Sequence, residues 1–267
     1  MKRIKIAGLL LVALYALSVA AASALAAEYE GPYQNKGPEV GECYKTVPVA
    51  KKYPGHYVSS KCIGAEAPGG KYEWRAGPVG IDKQFTSKGA KATLEGVGGE
   101  KITCTAVTNV GEQVNAFRDT TVVTFTGCQA VSLKAKCQSA GQAAGVIVVE
   151  LESHLGVIKA GTATTISVGV DLTALHPPDV AKFECAGAEV IVTGSVIAPE
   201  TKADVVATAF KQTFKATKGK QAPESFEGGA KDTLNTEIPL LSKSEQSGQT
   251  VTATQTFKSK VEIRTEN

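Results

Sequence analysis

The chain has 267 residues, 43% of them hydrophobic and only 6% aromatic, with a formal net charge of +3. That length can bury a real core in one large β domain or two small ones. Arg occurs at positions 3, 75, 118 and 264 alone, so the concentrated basic face that phosphate-backbone binding needs is missing, and nucleic acid is excluded as a partner.

The N-terminus opens with Lys2, Arg3 and Lys5, then an apolar run from Ile6 to Leu17, then small residues from Ser18 to Ala27. Ala24-Leu25-Ala26 supplies the small-x-small pattern that signal peptidase accepts, which predicts a signal peptide over 1–26, cleaved after Ala26. Uncleaved, the same run is almost long enough to span a bilayer. No comparable apolar run follows, so the sequence predicts no membrane span after cleavage. Cleavage removes three basic residues and leaves acids and bases matched. The expected location is secreted, either extracellular or associated with the cell envelope.

Residues 27–42 are rich in Gly, Pro and Glu and lack periodicity, which predicts a flexible lead-in. Residues 43–78 form a cystine-containing N-terminal segment, and 79–267 a β domain. All six Cys, at 43, 62, 104, 128, 137 and 185, follow the predicted cleavage site. An even number in that context implies a disulfide framework. No C-x-x-C is present to suggest a metal or redox site. Cys43 and Cys62 bracket one Pro- and Gly-containing segment, and Cys128 and Cys137 flank a short connection, so local context predicts the pairs 43–62 and 128–137. Cys104 and Cys185 then remain. Ile102-Thr103-Cys104 and Phe183-Glu184-Cys185 each alternate so that the Cys faces inward, which suits a 104–185 bridge through the core.

Period-two alternation dominates from about residue 79. Ile147, Val149 and Leu151 share a face, as do Ile166, Val168, Val170 and Leu172. Ala188 to Ile197 reads as a central strand, and Ala203 to Thr217 as another. Gly96 to Gly99, Gly111-Glu112 and Lys218 to Lys220 read as turns. Residues 219–249 are expected to form a long loop with little regular structure. At the C-terminus Val251, Ala253, Phe257, Val261 and Ile263 share one face, interrupted by Gln255 and Ser259. No segment after the signal peptide shows a helical stripe. The fold class is all-β, an antiparallel sandwich or barrel-like domain stapled by disulfides.

Several stretches carry a resemblance: Cys43-Tyr44-Lys45, Gly55-His56-Tyr57, Gly70-Lys71-Tyr72-Glu73-Trp74, Ile102-Thr103-Cys104, Phe125-Thr126-Gly127-Cys128, Phe183-Glu184-Cys185 and Gly194-Ser195-Val196-Ile197. Over most of residues 43–200 the chain resembles a group of uncharacterised secreted proteins of soil actinobacteria. The group has no assigned activity, so the resemblance implies location and disulfides, not chemistry.

Motifs with chemistry are few. His56, His154 and His176 are far apart in sequence and lack metal-ligand spacing. There is no G-x-S-x-G elbow, and Ser195 sits inside a strand-like run. Glu150 and Glu152 share a strand face about 7 Å apart by strand geometry, a glycosidase-like separation, but alternating Glu is ordinary on the wet face of a strand. Gly96 to Lys101 lacks the phosphate-loop pattern. Lys211, Lys215, Lys218 and Lys220 read as a solvated edge. Tyr72 and Trp74 flank Glu73 and share a face, so they are the candidate binding pair, able to stack on sugars or on a partner. Packing of that segment onto the β domain is the competing reading. No catalytic residue, metal ligand or cofactor is predicted. The expected function is a non-enzymatic structural, adhesive or binding role toward a cell-wall polymer, a polysaccharide or an extracellular protein. The alternative is a secreted hydrolase whose site gathers distant residues.

Overall fold

The computed structural model describes residues 37–64, 67–77, 83–159 and 166–265. The predicted signal peptide and residues 27–36 lie outside them. The described chain is strand and turn apart from 3₁₀ geometry, the longest stretch being Pro239–Leu241. None of its helices is long and apolar enough to cross a membrane.

Strands β1 (Glu39–Lys45) and β2 (Tyr72–Ala76) pair with each other. A meander of bent strands follows. β3 (Gln84–Gly89) continues into β4 (Ala92–Gly96), β5 (Lys101–Cys104) into β6 (Ala106–Gln113), and β7 (Arg118–Thr126) into β8 (Gln129–Ala130). Next come β9 (Ala135–Gln138) with β10 (Val146–Lys159), β11 (Ser167–Ala174) with β12 (Asp179–Cys185), and β13 (Ala188–Thr193) with β14 (Val196–Pro199). After β15 (Ala207–Phe214) the chain makes an excursion through the small hairpin of β16 (Ala216–Thr217) and β17 (Lys220–Gln221). It returns in β18 (Leu234–Ile238) and ends in the unbroken β19 (Lys243–Arg264).

Successive bent strands are antiparallel neighbours, and β19 pairs with both β3 and β4. The meander therefore closes into an eight-stranded antiparallel barrel with outer strands. Closure removes the free edges that an open sheet would expose. Alternation supplies the core: along β10, Ile147, Val149, Leu151 and Leu155 are buried, and along β19 so are Val251, Ala253, Phe257, Val261 and Ile263.

The bends occur where the backbone cannot continue a flat ladder. Ala188 to Ile197, expected as one strand, is two, because Gly194 takes φ +92°. A Cβ there would lie 2.0 Å from the Thr233 carbonyl oxygen, so only glycine fits. Gly111 and Glu112, expected as a turn, lie within β6, and the turn falls at 114–117. The expected long loop at 219–249 is also corrected. Its second half holds β18 and the start of β19, paired from Leu234↔Ser247 to Ile238↔Lys243.

The N-terminal segment belongs to the same body. Val40 pairs with Ile263 and is buried in the barrel's core, so part of the expected lead-in is strand. The Val40 amide donates to the Ala116 carbonyl at 2.6 Å, which fastens β1 to the β6–β7 hairpin.

The Cys43–Cys62 bridge is as expected. The other two pairs are corrected: Cys104 joins Cys128, and Cys137 joins Cys185. Strand order is the reason. β5 pairs with β8 at Thr103↔Gln129, which sets Cys104 beside Cys128. β9 pairs with β12 directly at Cys185↔Cys137. Cys104 and Cys185 do face inward, but from strands that are not neighbours.

Candidate functional site

The barrel interior holds a cavity of about 120 Å³. Toward the end where β4, β5, β13 and β18 lie, its lining is apolar and includes Leu94, Ile102, Phe183, Val192 and Leu234. Toward the other end the inward positions turn polar. Ser87 on β3, Asn109 on β6, Asp119 and Thr121 on β7, Gln212 on β15 and Gln255 on β19 all line the cavity. Ladder register brings them together, with Ser87 opposite both Asn109 and Gln255. Beyond this polar belt Phe210, Phe257 and Phe85 close the interior, with ring centroids 6.0 Å apart for the first pair and 5.4 Å for the second.

The belt is hydrogen-bonded across strands. The Gln212 side-chain amide donates to Glu200 Oε1 at 2.8 Å and to Gln255 Oε1 at 3.2 Å. Glu200 Oε2 and Asn109 Oδ1 are buried without a hydrogen-bond partner among the described residues. Burial pushes the Asp119 carboxyl up to about 8, against a lowering hydrogen bond from Ser153, and the charges of Glu200 and Glu152 push the same way. Burial likewise lifts Glu200 to about 7, with Gln212 partly offsetting it. At neutral pH Asp119 therefore holds a proton and can donate a hydrogen bond to a carbonyl or hydroxyl oxygen, as carboxylic acids in apolar sites do.

The residues singled out by sequence lie elsewhere. Tyr72 and Trp74 are half-buried on β2, outside the barrel. The Arg264 guanidinium covers the Trp74 ring at 3.5 Å from its centroid, and the indole N–H donates to Glu39 at 2.5 Å. Arg264 also donates to the carbonyls of Lys61 and Cys62, tying the disulfide loop to β19. These contacts pack Trp74 against the end of β19. Trp74 is the chain's single Trp, so its fluorescence reports this joint alone. Arg264→Ala is expected to shift the emission to the red and to cost about 1–2 kcal/mol in chemical denaturation. An unchanged spectrum would show that the cation does not seat the ring.

Each His pairs with a different Glu: His56 with Glu73 at 2.6 Å, His154 with Glu152 at 2.6 Å, and His176 with Glu150 at 3.5 Å. Glu150 and Glu152 face outward on β10, and Arg118 lies 3.5 Å from Glu152. Among the described residues no group of three or more His, Cys, Asp or Glu could hold a metal ion. Lys211, Lys215, Lys218 and Lys220 are exposed. The three disulfides suit an oxidising, extracellular environment.

Sequence reasoning missed the belt, although a signal was present. Asp119 shares its parity with Thr121, Val123 and Phe125, and Gln255, like Ser259, interrupts a mainly apolar face. A charge or amide at a core position is the mark of an interior polar site. Comparison with family models, curated proteins and solved structures gives no match.

Proposed function

We propose that this is a secreted, non-enzymatic binding protein that holds a small, compact, mainly apolar molecule inside its barrel. The observation that carries the reading is the cavity itself, apolar for most of its wall and ending on hydrogen-bonding groups. Eight-stranded barrels have an interior just wide enough to be filled by side chains or to hold one small ligand. Ligand sites combine an apolar lining with a few convergent polar groups. A volume of about 120 Å³ is close to cavities that take benzene, so the ligand is of that size, with one oxygen to meet the belt. Export is supported by the N-terminal pattern and by the disulfides. The hydrolase alternative would have to draw on the same two carboxyls, Asp119 and Glu200.

Calorimetric titration with phenol and with toluene tests the proposal. At about 0.6–0.8 kcal/mol per non-hydrogen atom, inside the observed range of ligand efficiencies, a compact seven-atom ligand has a Kd of about 0.1–1 mM. Phenol is expected to bind in that range and toluene several-fold more weakly, because only phenol satisfies the belt. Val123→Phe, which fills the cavity from β7, is expected to abolish both. Equal, weak binding that Val123→Phe leaves unchanged would place any contact outside the barrel.

A further inference from the structure

The excursion between β15 and β18 crosses the outside of the barrel wall. Its Phe226 ring lies against Gly156 on β10, where a Cβ would come within 2.4 Å of it. The Glu227 amide donates to the Val157 carbonyl at 2.7 Å. Gln221, only 3% exposed, donates through its side-chain amide to the carbonyls of Ser195 at 3.1 Å and Asp232 at 2.9 Å. Those two bonds fix the amide orientation, since a flip would set oxygen against two carbonyl oxygens.

Beneath this strap lie Asp171, 8% exposed on the outward face of β11, and Ser195, 5% exposed at the break before β14. Among the described residues, Asp171 Oδ1 and Gln221 Oε1 are buried without a hydrogen-bond partner, and the buried Ser195 hydroxyl lies beside the Asp171 carboxyl. Burial pushes the Asp171 carboxyl up to about 7, the Ser195 hydroxyl beside it acts in the opposite direction, and the charge that adds to the rise is another carboxylate, that of Asp232. His154 stands opposite Asp171 on β10, but its ring is held to Glu152 at 2.6 Å. Acceptor oxygens gathered out of water around like charges are costly to bury unless a cation or proton joins them.

We infer that Asp171, Ser195 and Gln221, with Asp232 beside them, form a site for a hard divalent cation, calcium, that clamps the 215–233 strap onto the barrel. The donors are all oxygen, as calcium requires: carboxylates, an amide carbonyl and a hydroxyl, with waters completing the shell. Two carboxylates and an uncharged remainder match the weak sites of extracellular modules, with Kd of about 0.1–1 mM. Calcium held there would pull Asp171 and Asp232 out of their mutual repulsion and join two chain segments that no disulfide links.

The test is calorimetric titration of the chelator-treated full chain with calcium chloride, with thermal denaturation in parallel. One site in the stated range is expected, with a melting temperature that rises as calcium is added. Asp171→Asn is expected to abolish both effects. Ser195→Ala removes one oxygen while keeping the Gln221 bonds to the Ser195 and Asp232 carbonyls, and is expected to weaken binding at least about fivefold. Absence of heat and of any thermal shift in the wild-type chain up to about 10 mM calcium would overturn the proposal and leave the pocket to buried water. Binding that survives Asp171→Asn unchanged would overturn it equally.

Discussion

Asp119→Asn is expected to leave stability almost unchanged below about pH 4 and to raise it progressively from there to about pH 8. The Asp119 carboxyl sits at about 8 in the folded chain against an ordinary value near 3.8. Between those two values the folded chain holds a proton that the unfolded chain has released. Unfolding then releases a proton, so stability falls as pH rises through that window and levels off above about 8. The slope is at most about 1.4 kcal/mol per pH unit for this one group. Asn resembles the protonated acid in shape and can still bond Ser153, but it has no charge to bury. Glu200, lifted to about 7 from 4.5, adds a slope of the same sign that ends near pH 7 and persists in the variant. Denaturant midpoints for both chains across pH 5–9 check this. The two profiles should diverge as pH rises, and parallel profiles would show that Asp119 does not hold a proton inside the barrel.

Phe210→Ala is expected to destabilise the fold by about 3–5 kcal/mol, the largest cost among single core truncations. Phe210 is fully buried and meets Phe257 edge-on at 6.0 Å. It stands opposite Gln255 in the β15–β19 ladder, so the hole it leaves would open beside the polar belt. Phe117 makes the control. It is 49% exposed at the β6–β7 turn, and Phe117→Ala should change the midpoint by less than about 0.5 kcal/mol. Equal effects for the two substitutions would mean that the aromatic floor does not close the barrel.

How much of this was readable in advance depends on the kind of interaction. Strands with one dry face are local, so the alternation of Ile147, Val149 and Leu151, or of Val251 and Ala253, points to β10 and β19 directly. Which strand lies beside which is not local. Cys104 and Cys185 both satisfy the inward pattern, yet Cys185 is bridged to Cys137 on the adjacent β9 and Cys104 to Cys128 just before the adjacent β8, because barrel order decides the partners. Position 78 reads as a boundary because its surroundings lack alternation. The pairing of Val40 with Ile263 spans most of the chain, and no window of sequence displays it. The belt lies between these cases. Gln255 shows as an exception on an apolar face, while its place opposite Ser87 and its bond from Gln212, which also holds Glu200, are created only by strand pairing. Trp74 has a partner that its local sequence does not show: Arg264, from the far end of the chain, lies over its ring.

The most direct measurement is diffraction from wild-type crystals soaked in phenol. The account predicts density for one ring inside the barrel, its plane against Val123 and Val149 and its hydroxyl toward Asp119 and Gln255, all of which line the cavity. An interior unchanged by the soak, with phenol bound only on the outer surface or not at all, would contradict it.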